Sequence, residues 1–348
     1  MTNIDNKFEG HWYLRTNESF ALIFLSVIFA LAVVLFPWDA INKVGFFEDF
    51  LVYEINLEQR MEDPRSIIER YGIDGPLTFF TFEGLWDMTL VRLMYLTDNN
   101  AFVSLKIISF LTLLAWGLIT FRRLPFWWGV LFLINPTSID VAMSGLRNGF
   151  AWSIFALAIF YLPFVARNLL MWTAPFIHST SIILIGFYYS SRIWFNFNLI
   201  KGKRFFSKKS SAVIMAFLPG TFIGILLAFL SEMILLSIGD RRALIAEQSY
   251  DPSILQAMFW WILLFTQLSC SSDYLRKNSL QTNLISWYCF MNLSISWSSR
   301  VWAAAIPFIA ISIWNLPKKK RDFILALWVG YLSLWYFYWS NLFYWWNQ

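Results

Sequence analysis

Runs of mainly apolar residues alternate along the chain with polar connections. The first covers residues 20–36 without a charge, and further runs cover 77–96, 102–120, 126–134, 148–165, 168–189, 212–236, 254–268, 280–297, 301–314 and 323–346. Helices rise about 1.5 Å per residue, so most of these runs approach or reach the roughly 30 Å of bilayer hydrocarbon. Lipid-spanning β-barrels instead show alternating segments of about ten residues. The pattern therefore predicts an all-α, polytopic membrane bundle of about eleven transmembrane helices in one membrane domain over residues 1–348. The run at 20–36 is too long for a typical signal-peptide core and lacks a small-x-small cleavage site, so it is expected to stay as the first span.

The interruptions carry more information than the runs. Residues 37–75 form the longest polar insertion, an outer loop rich in acids. Within it Phe46, Phe47, Phe50, Leu51, Ile55 and Leu57 predict an amphipathic helix lying in the interface. The second run holds Glu83, Asp87 and Arg92; the two acids are four residues apart and share a helical face, with Arg92 roughly opposite. Asn135-Pro136 breaks the fourth run, because proline lacks a backbone donor and disfavours helix at the residue before it. Arg147 stands at the mouth of the next run. His178 lies three residues after Pro175 and is followed by Ser179, Thr180 and Ser181, so its helix is expected to bend there. Arg300 follows a cluster of serines and opens the tenth run.

Composition sharpens the class. The chain is 58% hydrophobic, 20% aromatic and only 14% charged, which excludes an ordinary soluble domain. Its net charge of +5 falls in clusters between apolar runs, notably at 192–209 and 318–321. That spacing fits cytoplasmic loops facing an anionic leaflet and gives no reason to expect nucleic acid. Cys270 and Cys289 lack CxxC spacing or neighbouring histidines and define no metal or haem site. Most of the many tryptophans, Trp86, Trp116, Trp127 and Trp260 among them, read as interfacial belts.

Three side chains stand out chemically. Arg147, His178 and Arg300 sit at or inside the edges of apolar runs beside hydroxyl or amide residues. Guanidinium groups grip phosphate with two parallel donors, and histidine is the neutral-pH acid or base in reach. Against this stand snorkelling for the arginines and hydrogen-bonded packing for the histidine. The acids of the first loop, Asp49 beside Tyr53 among them, supply a general base, hold a divalent cation if several converge, or simply form a solvated surface. Glu83 and Asp87 are either charges paired inside the bundle or an acidic wall to a wet cavity.

The order of these features resembles the EpsG-like branch of the Wzy-type O-antigen and exopolysaccharide polymerases. The matching pieces are Asp49 and Tyr53 in the outer loop, Asn135-Pro136, Arg147-Asn-Gly-Phe-Ala151, Phe176-Ile-His-Ser179 and Ser299-Arg300. Asn148 departs from the glutamine the family often carries there. The resemblance implies a GT-C-like membrane glycosyltransferase, multi-pass in the bacterial cytoplasmic (inner) membrane. Such an enzyme joins undecaprenyl-diphosphate-linked oligosaccharide repeats in O-antigen, capsule or exopolysaccharide biosynthesis. Arg147 and Arg300 would bind the diphosphate, and His178 or Asp49 would deprotonate the acceptor hydroxyl, with Tyr53, Asn135, Glu83 and Asp87 as secondary candidates. No soluble cofactor is required, because the donor carries its own activated phosphate; a divalent cation stays undecided. The implied partners are lipid-linked donor and acceptor, membrane lipids, a chain-length regulator and a flippase. Two alternatives remain open: a polytopic transporter or flippase for a lipid-linked glycan, and a membrane O-acyltransferase.

Overall fold

The computed structural model describes residues 16–38, 48–62, 84–200, 208–237, 254–292 and 302–344. Among them the regular structure is helical throughout, and no strand occurs. The chain forms two compact units, Met1–Ile134 with Ile139–Ile182 and Asn135–Ser138 with Ile183–Gln348.

The first unit is built around α4 (Ala101–Phe121), against which α1 (Thr16–Leu35), α2 (Glu48–Glu62), α3 (Gly84–Leu96), α5 (Phe126–Leu133) and α7 (Leu146–Tyr161) all pack. Its buried positions Leu105, Ile108, Trp116 and Ile119 recur at helical spacing and form the unit's core. The turn from α3 into α4 places Asp98 and Asn99 in the left-handed region, at φ 52° and 61°, which short polar side chains tolerate better than most. Asn100 then starts α4 as its N-cap, its side chain accepting from the Val103 N–H at 2.9 Å. Gly117 lets α1 come close, since a Cβ there would lie 3.1 Å from that of Ser26. Lys106, the one charge of this run, donates to the Val34 carbonyl at 3.1 Å and lies over the Phe102 ring.

The Asn-Pro break is real. Helix α5 and helix α6 (Pro136–Met143) are bent by 69° where they meet. The Asn135 carboxamide oxygen accepts from the Thr137 N–H at 2.9 Å and its hydroxyl at 2.7 Å, capping α6 with proline in the first helical position. The run at 168–189 is a larger departure, because it is not one bent helix. Helix α8 (Phe164–Met171) ends, a 3-10 turn occupies Ala174–Phe176, and α9 (Ser181–Ile200) begins afresh. Pro175 cannot donate into a continuing helix, and the Ser181 hydroxyl, accepted by the His178 carbonyl at 2.8 Å, helps close the new start.

The second unit comprises α9 from Ile183 onward, α10 (Lys208–Ser237), α11 (Ile254–Leu268), α12 (Ser272–Lys277), α13 (Ser279–Met291), α14 (Ile306–Trp314) and α15 (Lys318–Tyr344). The basic cluster Lys318–Arg321, expected as a turn, is the first turn of α15, where the Arg321 N–H donates to the Pro317 carbonyl. Helices α10 and α13 make the closest pairing, at Gly220 and Gly224 of α10. Trp260, Tyr288, Trp302, Trp328 and Tyr331 form an aromatic core beside them. Trp116 and Trp260 are therefore core residues rather than interfacial ones.

Two of the described helices are long and apolar enough to cross a membrane, Ala101–Phe121 and Lys209–Leu230, or three spans if the bent α5–α6 pair counts as one. On α10 the outward positions Leu218, Phe222 and Phe229 are exposed and apolar, as lipid contact requires.

Candidate functional site

The site is assembled in the first unit, around the start of α7. Gly149, one turn into that helix, allows the end of α6 to lie against it, since a Cβ would stand 3.1 Å from the Val141 carbonyl oxygen. This packing fixes the first turn, which carries Arg147. Its Nε donates to the Tyr53 hydroxyl at 2.8 Å, and its guanidinium lies 5.5 Å from the centre of the same ring. The second contact adds cation–π attraction, worth about 0.5–2 kcal/mol depending on solvent exposure. Tyr53 comes from α2, ninety-four residues earlier, and packs edge-on against Trp86 of α3 at 5.8 Å. Trp86 is buried, and so is the next residue, Asp87.

Helix α2 occupies part of the expected outer loop. Phe50 and Leu57 are buried, whereas Leu51, Val52 and Ile55 are exposed. Asp49 stands four residues before Tyr53 in this helix, at the register position one turn away. Residues 39–47 and the remainder of the loop beyond Glu62 lie outside the described residues.

His178 is buried, and its backbone N–H donates to the Ala174 carbonyl at 2.9 Å. The 3-10 turn that leads into it packs against α3 and α7, the helices carrying Asp87 and Arg147. Two sequence-predicted residues, Arg147 and Tyr53, are thus drawn into direct contact; Asp87 follows Trp86 in α3, and His178 lies two residues beyond the 3-10 turn that packs on α3 and α7. Asn135 belongs to the second unit, where it serves as the cap of α6. Glu83 and Arg300 lie outside the described residues. Arg92 is exposed while Asp87 is buried, in keeping with their expected positions on different faces of α3.

Sequence reasoning missed Trp86, assigned to a membrane belt but buried behind Tyr53. Its one available signal was its place immediately before an acid inside an apolar run. Among the described residues no three of His, Cys, Asp and Glu converge as a metal site.

Electrostatically, the start of α7 favours an anion. Unpaired N–H groups give a helix N-terminus about half a positive charge, and Arg147 adds a full one in the same turn. The tyrosine hydroxyl and ring, both uncharged, hold the guanidinium in place.

No protein-family model, curated relative or solved structure matches the chain. The class follows from the fold itself: this is a helical protein with helices long and apolar enough to span a membrane.

Proposed function

We propose that the chain is a polysaccharide polymerase of the EpsG-like kind, a multi-pass glycosyltransferase of the bacterial cytoplasmic membrane with about eleven spans and a GT-C-like arrangement. It joins oligosaccharide repeats carried on undecaprenyl diphosphate. The observation that carries the reading is Arg147, aimed from the positive end of α7 and fixed by a tyrosine of the outer-loop helix. A diphosphate leaving group requires such a preorganised cation, since stabilising charge that develops in the transition state is a major source of rate.

In the reaction the acceptor sugar hydroxyl attacks the anomeric carbon of the donor. The bond from that carbon to the diphosphate oxygen breaks, and undecaprenyl diphosphate leaves with the electron pair. Arg147, joined by Arg300, takes up the charge that develops on the diphosphate. The hydroxyl proton passes to His178 or to Asp49 as general base.

Gel profiling of surface glycan from chromosomal variants tests the reading. Arg147→Ala, His178→Ala and Arg300→Ala are expected to insert normally but to give single repeat units in place of long polymer. Chains of normal length in both the Arg147 and His178 variants would remove the assignment.

One observation favours a second reading, a transporter of lipid-linked glycan: the α5–α6 break is the kind of interrupted helix that transporters place at a substrate site. Accumulation of untransported lipid-linked repeats on the inner leaflet of the same variants would decide for it.

A further inference from the structure

At the opposite end of α7 from Arg147, about 21 Å away along the helix at 1.5 Å per residue, a second cationic cluster is built into the first unit. Two consecutive residues organise it. The Tyr161 hydroxyl donates to the Leu118 carbonyl at 2.7 Å and accepts from the Arg122 guanidinium, which also lies 5.1 Å from the ring centre. The Leu162 carbonyl next to it accepts from Arg167, at 3.2 Å from Nε and 3.0 Å from Nη2. Arg123 is adjacent to Arg122, and burial first, then the charge of Arg122, lower its pKa from the ordinary arginine value. Charge is being held together here against its own repulsion.

The helix carrying Arg167 is inverted relative to a soluble amphipathic helix. On α8 and its C-cap, Phe164, Val165, Leu169 and Trp172 are exposed, within an arc of about 140° at 100° per residue. Arg167 and Met171 face inward instead, 9% and 0% exposed. In water this arrangement would waste both faces. Beside a bilayer it makes sense: the apolar face suits acyl chains, and Arg167 lies behind it. Trp127 is 75% exposed at the start of α5, four residues after Arg123, and adds an amphipathic ring suited to a membrane interface.

We propose that Arg122, Arg123 and Arg167 with Tyr161 form a binding site for the phosphate of an anionic phospholipid, whose acyl chains lie along the exposed face of α8. The guanidinium forks match phosphate oxygens, and a low-dielectric surround strengthens the contact. A negatively charged headgroup also relieves the repulsion between the adjacent arginines. The site anchors the first unit in its leaflet and is separate from Arg147, so it stands whether or not the polymerase reading does.

The test uses the full-length chain, purified in detergent and analysed by native mass spectrometry with added phosphatidylglycerol or phosphatidylcholine. The wild-type chain is expected to retain phosphatidylglycerol over phosphatidylcholine by about tenfold, and Arg122→Gln/Arg167→Gln to lose that preference. A Lys318→Gln/Lys319→Gln chain, with the same change in net charge on α15, is expected to keep it. Equal losses in the two double variants, or no preference in the wild type, would overturn the site. Displacement of phosphatidylglycerol by millimolar inorganic phosphate alone would show a phosphate pocket that does not recognise lipid, and would overturn it too. Should Arg122→Gln/Arg167→Gln fail to fold, Arg123→Gln carries the test: a fall of about threefold or more supports the site, and an unchanged ratio refutes it.

Discussion

Pro219 in the middle of α10 leaves a debt in the backbone that a single side chain settles, and replacing that side chain should be costly. Proline at 219 cannot donate to the carbonyl of Met215 one turn earlier. The Asn283 carboxamide of α13 donates to that carbonyl at 2.8 Å, and its oxygen accepts from the Gly220 N–H, also at 2.8 Å. Gly220 is required for the approach, because a Cβ there would collide with the Asn283 carbonyl. Asn283→Leu, of similar volume, strips partners from two backbone groups in a helix long and apolar enough to span a membrane. Each unsatisfied buried group costs about 1–3 kcal/mol in proteins generally, while hydrogen bonds between membrane helices average about 0.6. The expected destabilisation is therefore about 2–4 kcal/mol. Equilibrium unfolding in mixed micelles, titrated with dodecyl sulfate, measures it. A paired test isolates the mechanism: Pro219→Ala restores an N–H for Met215, so Asn283→Leu should cost about 1 kcal/mol less in that background. A loss below about 0.5 kcal/mol, or an equal loss in both backgrounds, would refute the argument.

Two glycines should respond with opposite sign in the same unfolding assay. Gly224→Ala puts a Cβ 2.7 Å from the Trp287 carbonyl oxygen and 2.9 Å from the Phe290 Cβ, and should destabilise by about 1–3 kcal/mol. Gly330→Ala meets nothing within 4 Å in α15 and should stabilise by about 0.5–1 kcal/mol through helix propensity. Tyr53→Phe keeps the ring beneath Arg147 but removes the acceptor of its Nε, so polymer yield on glycan gels should fall about fivefold. Tyr53→Ala should fall further, and equality of the two would deny the ring a role. At Cys270 burial raises the thiol pKa, and Lys320, 3.7 Å away, and Lys209 oppose the rise. Less thiolate is then present at any pH below the raised value, so labelling by a small neutral thiol reagent should keep increasing above the ordinary thiol range. Lys320→Gln should slow it further, because it removes a positive charge that favours thiolate.

Sequence alone was enough to read the helical class and the Asn-Pro break. Each depends on local chemistry: apolar runs need internally satisfied backbones, and a proline denies one donor wherever it falls. The region before His178 was harder. Pro175 announced an interruption, yet whether a helix bends or ends depends on what can cap the freed groups, here Ser181 closing on the His178 carbonyl. The pairing of Arg147 with Tyr53 was beyond any local rule. The two residues were singled out separately, but their contact bridges ninety-four positions and follows from how α2 and α7 both pack on α4. Tryptophan misled for a related reason. The ring suits a membrane interface and a packed core equally well, and only tertiary structure distinguishes Trp86 and Trp260, which are buried, from Trp127, which is not.

The two ends of α7 hold cations for different physical reasons, and the difference separates the proposed anchor from the proposed active group. At the C-terminal end, carbonyls are in excess and the helix dipole is negative, so arginine is stabilised there without any ligand. Arg167 on the Leu162 carbonyl uses that advantage, and in the proposed site a phospholipid offsets the repulsion that remains between Arg122 and Arg123. At the N-terminal end the dipole is positive, and Arg147 is placed against it at a cost of about 0.3–1 kcal/mol. Its contacts include a neutral phenol and an aromatic face, which orient the guanidinium. An anion arriving there gains from the dipole and the guanidinium together, and it converts a local strain into binding energy. That asymmetry is why Arg147, rather than the more numerous arginines at the far end, is the residue through which a lipid diphosphate would be held for reaction.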